Sequence, residues 1–201
     1  MLSLTTLVAF SFLATAPVPT SLPKPAETVA VSTSQPHSMD ETTNENRYTC
    51  KGCNDNELTA LNFFQDNGIK DRNALATILG NIKQESTFIP NICEGGSRTT
   101  YQGCRAGGFG IIQWTSSDRY LGLGQFASRM GGNPTELEVQ LKYIFEEPQW
   151  MRILERMKTP GKPIERYMAY TYSWIGWGVH GARTSYAYDY ARRLIPVTSD
   201  T

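Results

Sequence analysis

Residues 71–90 read DRNALATILGNIKQESTFIP, and this stretch decides the fold. Asp71 stands where a helix N-cap belongs, and Leu75, Ile78, Leu79 and Ile82 recur at the spacing that puts side chains on one helix face. The helix must stop before Pro90, because the residue ahead of a proline is pushed out of helical dihedrals. Glu85 therefore falls in the last turn or two, on the face of Ile78 and Ile82. A carboxyl carried to the edge of an apolar core loses hydration, so its pKa rises and it keeps its proton towards neutral pH. A departing glycosidic oxygen needs such a proton donor. A helix-end Glu more often caps or forms a salt bridge, so position alone does not decide between the two.

Downstream of Pro90 the chain becomes glycine-rich, with Gly at 95, 96, 103, 107, 108 and 110 between Asn91 and Ser116. The single β-favouring run is Phe109 to Trp114, which predicts a loop with a small hairpin. Within GGFGIIQWT, Gly107 to Thr115, Gln113 offers an amide for sugar hydroxyls and Trp114 an indole face on which a pyranose can rest. Gly108 and Gly110 permit close backbone approach. Tyr170, Tyr172, Trp174 and Trp177 form a second aromatic band, from which Tyr172 and Trp174 join Gln113 and Trp114 as candidate substrate-binding residues. Ordinary core packing competes with that role for each aromatic.

The rest of the folded part is helical in pattern. Asn54 or Asp55 can cap a helix carrying Leu58, Leu61 and Phe64 and ending near Asn67-Gly68. Ser116 or Ser117 can cap another through Tyr120, Leu121 and Phe126, followed by one from Pro134 with Leu137, Leu141, Ile144 and Phe145. Pro148 should break or kink that helix, with Trp150, Ile153, Leu154 and Met157 in its continuation. Helices starting near Ile164 and Ala182 complete the chain, so the class is α with a minor β flap.

Cys50, Cys53, Cys93 and Cys104 are the four cysteines. An even count after an export-like leader favours disulfides, and the preferred pairing joins Cys93 to Cys104 across the glycine-rich loop, leaving Cys50 to Cys53. Each bridge would contribute ~2–4 kcal/mol by restricting the unfolded chain. A four-thiolate zinc site is the competing reading, but only Cys50-x-x-Cys53 has a usual ligand spacing. No metal and no cofactor are expected.

Residues 2–16, LSLTTLVAFSFLATA, are apolar and end in the small-x-small pattern Ala14-Thr15-Ala16, so residues 1–16 read as an export signal. The n-region lacks Lys and Arg, which keeps a short membrane anchor or a mistaken start codon open. A stable span would need ~20 apolar residues. Residues 17–49 are rich in Pro, Ser and Thr without an apolar period and read as a disordered spacer or an unselected tail, ahead of a folded domain at 50–195. The expected location is secreted, periplasmic or cell-envelope. Lys+Arg and Asp+Glu each number 19, so a formally neutral chain gives no basic excess for nucleic acid, and no nucleic-acid partner is expected.

At Gly80-Asn81-Ile82, Glu85-Ser86 and Gly108 to Thr115, and less sharply at Asp118-Arg119, the chain resembles the phage tail lysozymes, within the lysozyme-like and lytic-transglycosylase superfamily. The resemblance covers roughly Asn54 to Leu194. It implies a lysozyme-like helical domain with a small loop or β-hairpin flap, acting on peptidoglycan glycan strands at the β-1,4 bond between N-acetylmuramic acid and N-acetylglucosamine. It matches Glu85 to the catalytic acid, Gln113 and Trp114 to the cleft loop, and Tyr172, loosely, to a tyrosine of the transglycosylases. Association with a secretion or phage assembly is one further expectation among several biological roles, and a monomer is expected. The leader and cysteine loop depart from a virion tail component and suit a secreted wall enzyme.

Hydrolysis needs a partner for Glu85. Glu94 and Asp118 are the nearest loop acids, with Glu146 and Glu147 further away. Carboxyls ~5–5.5 Å apart suit retention and ~6.5–9.5 Å leave room for an inverting water. Without a second carboxylate, the sugar's own 6-hydroxyl would attack and give a 1,6-anhydro product. Hydrolysis is the favoured route. Two other classes stay in view: a Cys/His wall amidase using His180, which needs a free thiol, and a non-catalytic wall-binding module.

Overall fold

The helix expected from residues 71–90 is α2, Arg72–Ser86, and the helices at 55–66, 164–175 and 183–193 pack against it. The computed structural model describes residues 47–104 and 107–198. The export-signal expectation and nearly all of the spacer lie outside them. The described residues form β1 (Tyr48–Cys50), α1 (Asp55–Asp66), α2, a 3-10 turn (Tyr101–Gly103), α3 (Ser117–Met130), α4 (Leu137–Ile144), α5 (Pro148–Met151), α6 (Leu154–Lys158), α7 (Ile164–Ile175), α8 (Arg183–Arg193) and β2 (Leu194–Pro196). The protein is mainly α, as its periodicity predicts. Among the described residues no helix is long and apolar enough to cross a membrane.

Leu75, Ile78, Leu79 and Ile82 are all buried, so the apolar stripe faces the core. Asp71 caps α2 by accepting from the amides of Asn73 and Ala74, each at 2.9 Å. The helix is stopped by Thr87 and Phe88, whose φ angles of 49° and 62° are left-handed and unfavourable for bulky side chains. At its middle, α2 meets α8 backbone to backbone. A Cβ on Gly80 would lie 2.6 Å from the Ala187 nitrogen and 2.9 Å from the Arg183 carbonyl oxygen. Alanine favours a helix by ~1 kcal/mol over glycine. Here the overlap wins, because both obstacles are backbone atoms that cannot rotate away. Gly80→Ala is expected to lower stability by about 1–2 kcal/mol net in urea unfolding, with α8 displaced.

Asn54 caps α1 in a reciprocal box with Glu57, the two bonds measuring 3.0 and 2.7 Å. The helix expected from Pro134 begins later, at Leu137. Residues 133–136 are held in a turn by the Asn133 side chain, which accepts from the Thr135 amide at 3.0 Å, and by the Glu136 amide on the Asn133 carbonyl, also 3.0 Å. Pro148 starts α5 at its first turn, and the expected single continuation is two short helices, α5 and α6.

The only sheet among the described residues was not anticipated. β1 pairs antiparallel with β2, Thr49 opposite Ile195, and buried Gln65 clamps β1 through both the amide and the carbonyl of Tyr48, at 2.6 and 3.0 Å. Tyr48 and Thr49, expected at the end of the spacer, are thus part of the fold. The loop or small hairpin expected at Phe109 to Trp114 is a tight loop closed by isolated antiparallel bridges, Phe109 to Trp114 and Phe109 to Cys93. Left-handed backbone at Gly110 (φ 77°) and Gln113 (φ 52°) curls the run before a strand can form. The cysteines pair Cys50 to Cys53 and Cys93 to Cys104, each with Cα atoms 5.5 Å apart, which leaves no thiolate for zinc and no thiol nucleophile.

Candidate active site

The end of α2 is fastened to the glycine-rich turn by Ser86. Its hydroxyl donates to the Ile111 carbonyl at 2.8 Å and accepts from the Phe88 amide at 3.1 Å. Buried Gln140 holds the same turn from the other side. Its carbonyl oxygen accepts from the Ile111 amide at 2.9 Å, and its amide donates to the carbonyls of Pro90 and Pro134 at 2.6 Å each. A Cβ on Gly110 would lie 2.6 Å from the Gln140 oxygen, so only glycine fits there. The Cys93–Cys104 bridge and the Glu94 amide on the Gly108 carbonyl (2.8 Å) secure the remainder of the loop.

Between this turn and the segment joining α7 to α8 opens a cavity of about 380 Å³. Glu85, Glu94, Gln113, Thr115, Trp177 and Arg183 are among its lining residues. The Glu85 side chain is 12% exposed and forms an ion pair with Arg183, whose side chain is 5% exposed. Arg183 also donates to the carbonyls of Val179 (3.0 Å) and His180 (2.8 Å), and its guanidinium lies 4.8 Å from the centre of the Trp177 ring. Its Nε–H is buried without a partner. The Gln84 side chain, next to Glu85, accepts from the Ala182 amide at 2.8 Å and so ties α2 to the start of α8.

Burial pushes the Glu85 carboxyl above its ordinary value of 4.5, against the downward pull of Arg183, by charge and hydrogen bond, and of Arg119 by charge. Desolvation wins because the head group sits in the cavity wall with little water around it. The result is a carboxyl that is oriented through one oxygen by Arg183 and retains its proton to higher pH than a surface Glu.

The candidate residues divide. Glu85, Gln113 and Glu94 line one cavity, whereas Asp118 is exposed in the first turn of α3 and does not line it. Trp114 and Trp174 are 0% and 1% exposed, so neither offers a face to a sugar. Both indole N–H groups instead donate to the buried Glu147, at 3.0 and 3.3 Å, and Glu147 also receives Arg119. Apolar rings with one donor each found the core and a single acceptor. Glu147 is thus occupied, and Glu146 is exposed outside the cavity lining. Tyr172 is 54% exposed but packs edge-on against Trp177 outside the Glu85 cavity, their rings 5.0 Å apart. His180 is exposed with Nε2 2.8 Å from Thr184 Oγ1, and with every cysteine bridged it has no thiol to activate.

Arg183 escaped the sequence reading because it lies 98 residues from Glu85 and nothing local marks it. The profile of the phage tail lysozymes matches residues 55–195. The chain belongs to the phage tail lysozyme family. The match takes in every element from α1 to α8 and all six cavity residues named above. A curated relative, morphogenesis protein 1 of Bacillus phage B103, is 34% identical over 86 residues, which is 41% of this chain. The matched part covers 22% of that longer relative. No solved structure gives a significant match. Within this phage tail lysozyme domain, the Glu85-Ser86 pair has a clear division of labour in the fold. Ser86 ties the helix end to the turn, and Glu85 faces the cavity.

Proposed function

We propose that this domain is a peptidoglycan hydrolase that cuts the β-1,4 bond between N-acetylmuramic acid and N-acetylglucosamine, with Glu85 as general acid. The observation that carries this reading is the Glu85 carboxyl itself, 12% exposed in the wall of an open cavity and pushed above its ordinary value by burial. Family membership supports a glycan substrate, and two half-buried residues of the cavity lining suit one: Trp177 with its indole, and Gln113 with its carbonyl oxygen, its amide nitrogen being held by the Gly110 carbonyl at 2.9 Å. Glu85 gives its proton to the departing oxygen as the bond breaks, and Arg183 stabilises the carboxylate left behind.

Glu94 is the partner acid in this reading. Of the four other acids considered, it alone lines the cavity with Glu85, and it reaches over Gly107, where a Cβ would overlap its carboxylate at 1.6 Å. There it can take a proton from an attacking water. Action in the cell envelope and association with a phage assembly are part of the same proposal, the latter supported by the morphogenesis-protein relative.

Mass spectrometry of purified peptidoglycan digested by the full chain tests this directly. Fragments ending in reducing muramic acid are the expected product. A 1,6-anhydro end would replace hydrolysis by intramolecular attack of the 6-hydroxyl, released peptides would mean an amidase, and an undigested polymer would leave only wall binding.

A further inference from the structure

Trp177 is a wall of two cavities. On its other side, between α7 and α8, lies a second space of about 400 Å³. Met168, Ala169 and Tyr172 supply its apolar surface, and Glu165, His180 and Thr184 its polar edge. Two of those polar groups satisfy each other, His180 Nε2 lying 2.8 Å from Thr184 Oγ1. Glu165 is exposed and has no salt-bridge partner among the described residues. The Tyr188 hydroxyl donates to it, and that bond holds the carboxyl below its ordinary range, so Glu165 is an anion at neutral pH.

A pyranose needs several free hydrogen-bonding side chains beside a stacking surface. This space has apolar walls and at its edge one anion without a counter-charge among the described residues, which fits an alkyl chain ending in an ammonium group. Resting on the glycan reading above, we propose that it binds the amine-bearing side chain of the peptidoglycan stem peptide, a lysine or diaminopimelate residue. The stem hangs from the muramic acid, so a sugar in the Glu85 cavity brings the peptide to Trp177. Two to three extended residues span roughly 7–11 Å, enough to pass one indole. The second cavity would then make the domain read the peptide as well as the sugar.

The test is binding of the free tripeptide L-alanyl-γ-D-glutamyl-L-lysine to the full chain, followed by NMR shifts at Trp177 and Ala169. Saturable shifts are expected, weakened roughly fivefold by Glu165→Gln and equally by acetylation of the lysine ε-amine, as for loss of an exposed ion pair. Ala169→Trp, at an exposed position of α7, should fill the space and abolish the shift at Trp177 while the helical circular dichroism stays the same. Absence of saturable shifts in the wild type, or undiminished binding of the acetylated peptide, overturns the proposal. Glycan cleavage is scored separately. A chain that binds the peptide but cuts nothing keeps this site and loses the hydrolase reading, and one that cuts without binding does the reverse.

Discussion

Glu85→Gln is expected to lower peptidoglycan cleavage by about 10²–10⁴-fold with the helical circular dichroism unchanged, the range that a positioned proton donor contributes. Glutamine keeps the shape of the side chain and an oxygen for Arg183, and it removes only the transferable proton. If the variant releases soluble muropeptides at more than a tenth of the wild-type rate, Glu85 is not the acid. The comparison is sharp because the carboxyl has no buried stand-in. The other acid lining the cavity, Glu94, is exposed, and Asp118 does not line it.

The pH dependence has a fixed sign. As the proposed acid, Glu85 would act in its protonated form, and its folded pKa lies above 4.5, so kcat/KM should fall as pH rises through that higher value. Stability follows the same direction. A carboxyl whose folded pKa exceeds its unfolded one contributes fully below the unfolded value, and that contribution is lost as pH rises through the folded value. Pulling the other way on the carboxyl is Arg183, so Arg183→Met should move the descending limb of the rate profile to higher pH by removing the opposing charge.

Much of this was legible in the sequence, and the reasons for success and failure are physical. The α2 face, the Asp71 and Ser116 caps and the stop before Pro90 are local, governed by residues within a turn or two of each other. The disulfide pairing was legible because Cys93 and Cys104 bracket one short loop. What failed was the orientation of aromatics. Trp114 looked like a sugar platform because its loop is exposed in pattern, but the indole turns inward to Glu147, and that acceptor comes from beyond α4. Pairings of this kind join residues tens of positions apart and leave no periodic trace. Arg183 with Glu85 and β1 with β2 belong to the same class. Gly80 shows the intermediate case. It sits in the matched motif, yet its role is the approach of α8, which only the packed structure displays.

Glu147→Ala is expected to cost about 3–5 kcal/mol in urea unfolding, the scale for breaking a buried ion pair from one side. The Glu147 side chain is 1% exposed and accepts four bonds: Arg119 Nε at 2.6 Å, a terminal Arg119 nitrogen at 3.0 Å, and the indoles of Trp114 and Trp174. Alanine leaves a guanidinium that is 14% exposed without its counter-charge and two buried N–H groups without an acceptor. Such a loss is a large share of the roughly 5–15 kcal/mol that holds a domain together. Glutamine should cost less, since one oxygen remains, and its cleavage rate per folded molecule should stay within a fewfold of wild type. That outcome would separate Glu147 from Glu85, whose glutamine variant is expected to fold and to lose about 10²–10⁴-fold in cleavage. The double variant Glu147→Leu, Arg119→Leu should recover part of the lost stability, because a buried pair replaced on both sides leaves no stranded charge. If the double variant is no more stable than Glu147→Ala, the cost lies in the two indoles, and the hub is held by hydrogen bonds to Trp114 and Trp174 more than by the charge of Arg119.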